Sequence, residues 1–81
     1  MELILYHFES CPFCVIVQEA IDRLHVPIAE YRDILEDSKY KEELIKMNGI
    51  RQVPCLLIDG KPMLESEDIV AFLEKNFGKD A

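Results

Sequence analysis

The 81-residue sequence has no run of about 18 apolar residues, so no part of it reads as a membrane-crossing helix. Its start, Met1-Glu2-Leu3-Ile4-Leu5-Tyr6, lacks the basic stretch, long apolar stretch and small-residue cleavage site of a secretory signal, and a cytoplasmic location is expected. Basic residues are scarce. Nine Lys and Arg against sixteen Asp and Glu give a net charge of -7, which repels nucleic-acid phosphates and anionic lipid, so neither nucleic acid nor membrane is an expected partner. Cysteine is scarce too: three residues are odd in number and too few for a disulfide scaffold. In a reducing compartment the close pair Cys11 and Cys14 is then more often catalytic or metal-binding than structural. Repeats, linkers and low-complexity segments are lacking, and residues 1–81 form one expected domain, small enough that its core has little margin.

Hydropathy patterning supplies the elements. Leu3 to Tyr6 is a short apolar run that reads as a buried strand, followed by a polar turn from His7 to Ser10. From Pro12 the period changes: Phe13, Ile16, Val17, Ala20, Ile21 and Leu24 mark one face of a helix, with Pro12 at the first position, where its missing N–H costs nothing. Val26 to Tyr31 reads as a second strand. Asp37-Ser38 offers an N-cap to a helix with an apolar stripe of Tyr40, Leu44, Ile45 and Met47, ended by Asn48-Gly49. Val53 to Ile58 is a third strand, Asp59-Gly60 a hairpin turn, and Lys61 to Leu64 the returning strand. Ser66 is the expected cap of a last helix carrying Glu67 and Asp68 in its first turn, Ile69, Phe72 and Leu73 inward, and Gly78 at its end. The order βαβαββα implies an α/β, thioredoxin-like fold: a mixed four-stranded sheet, covered by helices, in which the first two strands are parallel and the hairpin antiparallel.

The chemistry concentrates in Cys11-Pro12-Phe13-Cys14. A thiolate, not a thiol, is the nucleophile, and the N-terminus of a helix favours an anion through its unpaired N–H groups and the positive end of its dipole. Cys11 at that position is the expected exposed nucleophile. Cys14, one turn further and less exposed, lies within disulfide reach, so Cys11 and Cys14 form the expected redox-active disulfide, with Cys11 attacking and Cys14 resolving the mixed disulfide. A structural zinc site would need two further ligands. No second Cys-x-x-Cys or His-x-x-x-His exists, His7 and His25 are far apart, and no metal is expected. Two further features accompany the pair. An X-Pro bond at Val53-Pro54 can be cis, offering the Val53 backbone to an extended peptide, and Glu65-Ser66 at a helix start provides N–H groups and a hydroxyl for a carboxylate.

Together these segments resemble the glutaredoxins over nearly the whole chain. Cys11-Pro12-Phe13-Cys14 is similar to that family's Cys-Pro-Tyr-Cys site, and Gln52-Val53-Pro54 to its Thr-Val-Pro segment. Met63-Leu64-Glu65-Ser66-Glu67-Asp68-Ile69 departs from the Gly-Gly-Cys-Asp-Asp run of most glutaredoxins and is similar instead to the Glu-Ser-x-x-Ile pattern of glutathione transferases and transferase-like glutaredoxins. The resemblance implies glutathione as reductant and co-substrate: Val53 and Pro54 beside its cysteinyl part, Glu65 and Ser66 at the γ-glutamyl end, Arg51 and Gln52 toward the glycine carboxylate. Many glutaredoxins carry a lysine where this chain has Phe8, a charge that Arg51 would replace. By the same resemblance the activity is a glutathione-dependent thiol–disulfide oxidoreductase acting on glutathionylated and disulfide-containing proteins. Transferase chemistry takes second place, since a transferase's helical second domain is not expected in these 81 residues.

Other readings of the same residues are a thioredoxin-type donor fed by a flavoprotein reductase, an iron–sulfur cluster carrier and a non-catalytic glutathione-binding module. Cys14 and Pro12 differ from the Cys-Gly-Phe-Ser site of cluster carriers, and Glu65-Ser66 disfavours the reductase-fed donor. Tyr6 resembles a transferase's activating hydroxyl in position but reads as a core residue with its hydroxyl at the edge. His7 reads as a turn residue, His25 as a charge complement at a helix end, and Cys55 as a small hydrophobe in a strand.

Overall fold

A computed structural model describes residues 1–78, and its chain runs β1 (Leu3–His7), α1 (Pro12–Leu24), β2 (Glu30–Asp33), α2 (Ser38–Asn48), β3 (Cys55–Ile58), β4 (Lys61–Met63) and α3 (Ser66–Phe77). The strands form one mixed sheet in the order β2-β1-β3-β4, with β1 parallel to β2, and β3 antiparallel to both β1 and β4. This is the expected thioredoxin-like architecture. Strand alternation sends successive β1 side chains to opposite faces. Leu3 and Leu5, with Leu56 of β3, meet Val17, Ala20 and Ile21 of α1 and Ile69 and Leu73 of α3. On the other face Ile4, Tyr6 and Cys55 meet Ile34, just after β2, and Leu44 of α2. Two helices therefore cover one face and a single helix the other.

Several expectations shift when residues compete for the same backbone or the same face. The second strand begins at Glu30 rather than Val26, because the Val26 N–H donates to the Ile21 carbonyl (3.0 Å) at the end of α1 and Pro27 has no N–H to offer a ladder. Pairing then runs from Ile4 against Glu30 to His7 against Asp33. On α1 the inward stripe starts at Cys14 rather than Phe13; Phe13 is 60% and Ile16 47% exposed. On α2, Leu44 is buried while Ile45 and Met47 are exposed. The Asp59-Gly60 turn forms as expected, both residues at positive φ (48° and 88°), and the Asp59 carboxylate accepts the Glu2 N–H at 2.7 Å, fastening the hairpin to the start of β1. His25 ends α1 in the left-handed region, with φ 55°.

The start of α3 corrects a more consequential expectation. Glu65, not Ser66, is the N-cap: its carbonyl accepts the Ile69 N–H at 3.0 Å, its φ is 68°, and no side chain caps the helix. Ser66 is the first helical residue, and its hydroxyl is not used for capping.

Candidate active site

Both sulfurs converge where the turn after β1 enters α1. Cys11 is the N-cap of the helix, and its Sγ accepts the Cys14 N–H at 3.3 Å, while the Cys11 N–H donates to the Phe8 carbonyl at 3.2 Å. A sulfur thus stands where an N-cap oxygen ordinarily stands, facing one of the unpaired N–H groups of the first turn. Cys11 was expected to be the exposed member of the pair. It is not: Cys11 is 5% and Cys14 4% exposed, because the capping bond turns the Cys11 sulfur over the helix end. Burial, reinforced by the hydrogen bond with Cys11, pushes the Cys14 thiol up to about 12. Cys14 therefore remains protonated at neutral pH until a reaction removes its proton.

A groove of about 410 Å³ adjoins the first turn of α1. Phe13, Val53, Pro54, Glu65 and Ser66 line it together with Gln52 and Glu67. The Val53–Pro54 peptide is cis, and β3 begins only at Cys55, so the Val53 N–H and C=O lie outside the sheet pairing. Gln52 donates its side-chain amide to the Glu65 carboxylate at 3.2 Å, joining the loop before β3 to the head of α3. Glu65 itself holds a positive φ, a conformation costing on the order of 1–3 kcal/mol for a non-glycine residue. The structure thus unites Gln52, Val53, Pro54, Glu65 and Ser66, five of the six residues expected to hold a ligand. Arg51 is exposed and does not line the groove. Phe13 and Glu67 are the lining residues that the sequence reading missed; the position of Phe13 between the two cysteines was the available signal for the first. No cysteine lines this groove, which reaches α1 through Phe13; a larger recess of about 720 Å³, lined by Pro62, Phe72 and Lys75 among others, holds neither Phe13 nor the Val53–Pro54 peptide.

The remaining candidates lie elsewhere. Tyr6 is buried on the α2 face; its hydroxyl donates to Glu43 at 2.8 Å and accepts from Arg32 at 2.6 Å, and burial, with the Glu43 hydrogen bond, raises it to about 12. Arg32 also pairs with Glu30 at 2.8 Å, which lowers the Glu30 carboxyl. Cys55 is fully buried, and burial raises its thiol, as suits a small hydrophobe in a strand. His25 is exposed at the helix end. Among the described residues no group of three or more His, Cys, Asp or Glu could hold a metal ion, and no helix is long and apolar enough to cross a membrane.

Comparison with known proteins places the fold in a family. Residues 5–81 match the family model described as glutathione S-transferase, N-terminal domain. The chain is 34% identical over 82 residues to Glutathione S-transferase 1 of Manduca sexta, covering 99% of this chain but 38% of that protein. It is 30% identical over 84 residues to a glutaredoxin of Haemophilus influenzae, covering 96% of this chain and 97% of that one. A solved glutathione transferase homologue of Drosophila mojavensis with bound glutathione superposes with a TM-score of 0.82 at 28% identity, covering 96% of this chain and 36% of the other. The chain thus spans little more than a third of the transferases it matches. It belongs to the glutathione S-transferase N-terminal domain family, within the thioredoxin superfamily.

Proposed function

We propose that the chain is a glutathione-dependent thiol–disulfide oxidoreductase of the dithiol kind, a glutaredoxin, that reduces glutathione mixed disulfides and protein disulfides in the cytoplasm. The observation that carries this reading is the 3.3 Å hydrogen bond from the Cys14 N–H to Cys11 Sγ at the N-cap of α1. It puts one sulfur in an anion-favouring position with a second thiol a single turn away.

In the reaction, the Cys11 thiolate attacks the glutathione sulfur of a mixed disulfide; that S–S bond breaks, and the protein thiolate leaves and takes up a proton. A second glutathione thiolate then attacks the glutathione held on Cys11, releasing glutathione disulfide and regenerating Cys11. With a protein disulfide, Cys14 instead attacks the Cys11 sulfur of the mixed disulfide, the substrate departs with both cysteines reduced, and two glutathiones later reduce the Cys11–Cys14 disulfide. The groove supports the same reading. N–H groups at the head of α3 and the Ser66 hydroxyl suit the γ-glutamyl carboxylate, Glu65 suits the ammonium, the Val53 backbone suits the cysteinyl part, and Gln52 reaches toward the glycine carboxylate. Arg51, outside the lining, contributes its charge at a distance.

Conjugation of glutathione to an electrophile is the second reading, favoured by the match of residues 5–81 to a transferase domain. Parallel assays separate the two: reduction of a glutathione mixed disulfide coupled to glutathione reductase or to thioredoxin reductase, and conjugation of chlorodinitrobenzene. Turnover with glutathione reductase is expected. Turnover only with thioredoxin reductase, or conjugation without disulfide reduction, would refute the proposal.

A further inference from the structure

His7 is the last residue of β1, and the chain then turns through Phe8, Glu9 and Ser10 into α1. Its half-buried side chain lines a recess of about 210 Å³ together with Glu9, Cys14 and Gln18. This recess shares no residue with the groove of Val53 and Ser66, so a ligand in the groove leaves it open. The imidazole is held in place: its ring meets Tyr31 edge to face, 5.6 Å between centroids and 81° between planes. The Tyr31 hydroxyl accepts from the Gln18 amide at 3.3 Å, and that amide also donates to Asp22 at 3.0 Å.

The resolving step needs a base. Cys14 is a buried thiol, yet only its thiolate can attack the Cys11 sulfur. The ionisable groups around it are Cys11 on the same helix, Glu9 in the turn, Asp33 at the end of β2 and His7 at the end of β1. Cys11 is by then part of the mixed disulfide, and carboxylates are weaker bases than imidazole, whose basicity suits proton transfer at neutral pH. A water occupies about 30 Å³ of liquid, so the recess is wide enough for solvent to relay a proton across it.

We infer that His7 accepts the Cys14 proton in the resolving step, through water in the recess that the two residues share. The inference rests on the dithiol reading. The Cys14 S–H bond gives its proton to the imidazole as the Cys14 sulfur bonds to the Cys11 sulfur. The bond from Cys11 to the partner sulfur breaks, its electron pair leaves with the partner thiolate, and the imidazolium returns the proton to that thiolate through solvent. Two cysteines are oxidised and the partner's sulfurs are reduced.

Dithiobisnitrobenzoate separates the two half-steps in the reduced protein. Attack by Cys11 releases one thionitrobenzoate, and attack by Cys14 on the resulting mixed disulfide releases a second. His7→Gln should slow the second release at least tenfold at neutral pH and leave the first unchanged, which also shows that the variant folds. With rising pH, the native second rate should level off, because a base other than hydroxide takes the proton, whereas the variant rate should keep rising. Glu9→Gln should leave both rates within twofold. Equal second rates in the native chain and His7→Gln, or loss of levelling in Glu9→Gln alone, would overturn the role of His7 while the dithiol reading stands. No second release from the native chain would overturn the dithiol reading and the role of His7 with it.

Discussion

Replacing Ser66 by alanine tests the glutathione placement cleanly, because Ser66 lines the groove yet does not cap α3. A hydroxyl donating to a carboxylate contributes roughly 1.5–3 kcal/mol, as hydrogen bonds to charged groups do. At about 1.4 kcal/mol per tenfold, that corresponds to a loss of affinity of about tenfold to a hundredfold. Backbone N–H groups at the head of α3 remain and take up part of the carboxylate's demand, so a rise in the KM for glutathione of about tenfold is expected. An N-cap serine would also lose about 1 kcal/mol of helix stability, confounding the test. Here Glu65 is the cap and no capping bond is lost, so stability should change by no more than about 0.5 kcal/mol. Steady-state kinetics with varied glutathione, beside urea denaturation of the same variant, measure both quantities. An unchanged KM in a folded Ser66→Ala protein would refute the placement of the γ-glutamyl carboxylate at the head of α3.

Cys14→Ser should retain most activity toward small glutathione mixed disulfides, since that route uses only Cys11 and a second glutathione, while Cys11→Ser should abolish it; equal losses in a coupled reductase assay would make the dithiol route obligatory. Limited alkylation at mildly acidic pH, read by mass spectrometry, should label Cys11 before Cys14 and Cys55, whose thiols burial holds protonated; prior labelling of Cys14 would reverse the assigned roles. Stability should also respond to alkali. Burial and the Cys11 hydrogen bond raise Cys14 from 9.0 to about 12, and burial and Glu43 raise Tyr6 from 10.0 to about 12. The unfolded chain loses these protons first, so the associated stability is complete below pH about 9 and declines toward pH 12. Urea midpoints measured across that range should fall, and Tyr6→Phe and Cys14→Ser should each flatten the curve; a flat native curve would contradict the raised values.

The elements were legible wherever one local signal dominated. Pro12 opens α1, Asp37 caps α2 with its carboxylate accepting the Lys39 N–H at 3.0 Å, and Asp59-Gly60 makes the hairpin. Where a residue had two possible uses, periodicity could not choose. Val26 reads as strand by type, but its N–H closes the preceding helix. Phe13 fits the apolar stripe of α1 by period alone, yet Cys14 takes the inward position and leaves the aromatic ring against the groove. Ser66 has the chemistry of an N-cap, but the positive φ and carbonyl contact of Glu65 move the helix start by one residue. Sequence likewise brought Gln52, Val53, Pro54, Glu65 and Ser66 to one site through resemblance. It had no means of knowing that Arg51, their neighbour, would be left out of the groove's lining, or that an N-cap sulfur would be buried.

The choice between disulfide exchange and conjugation turns on which sulfur needs activating. Conjugation requires the protein to stabilise the thiolate of glutathione, and Tyr6 resembles such a donor in sequence position. In the folded chain its hydroxyl already donates to Glu43 and accepts from Arg32, and Tyr6 lines neither the groove nor the recess beside Cys14. Redirecting that hydroxyl would break a partly buried hydrogen bond and leave the Glu43–Arg32 pair to reorganise, a cost of about 1 kcal/mol before any substrate bound. Disulfide exchange needs no such rearrangement. Its sulfur is the protein's own, already opposite a backbone N–H at 3.3 Å, and its resolving partner is one helical turn away. Exchange is therefore favoured, since its nucleophile is organised before substrate arrives, while conjugation would have to redirect a hydroxyl already committed to Glu43.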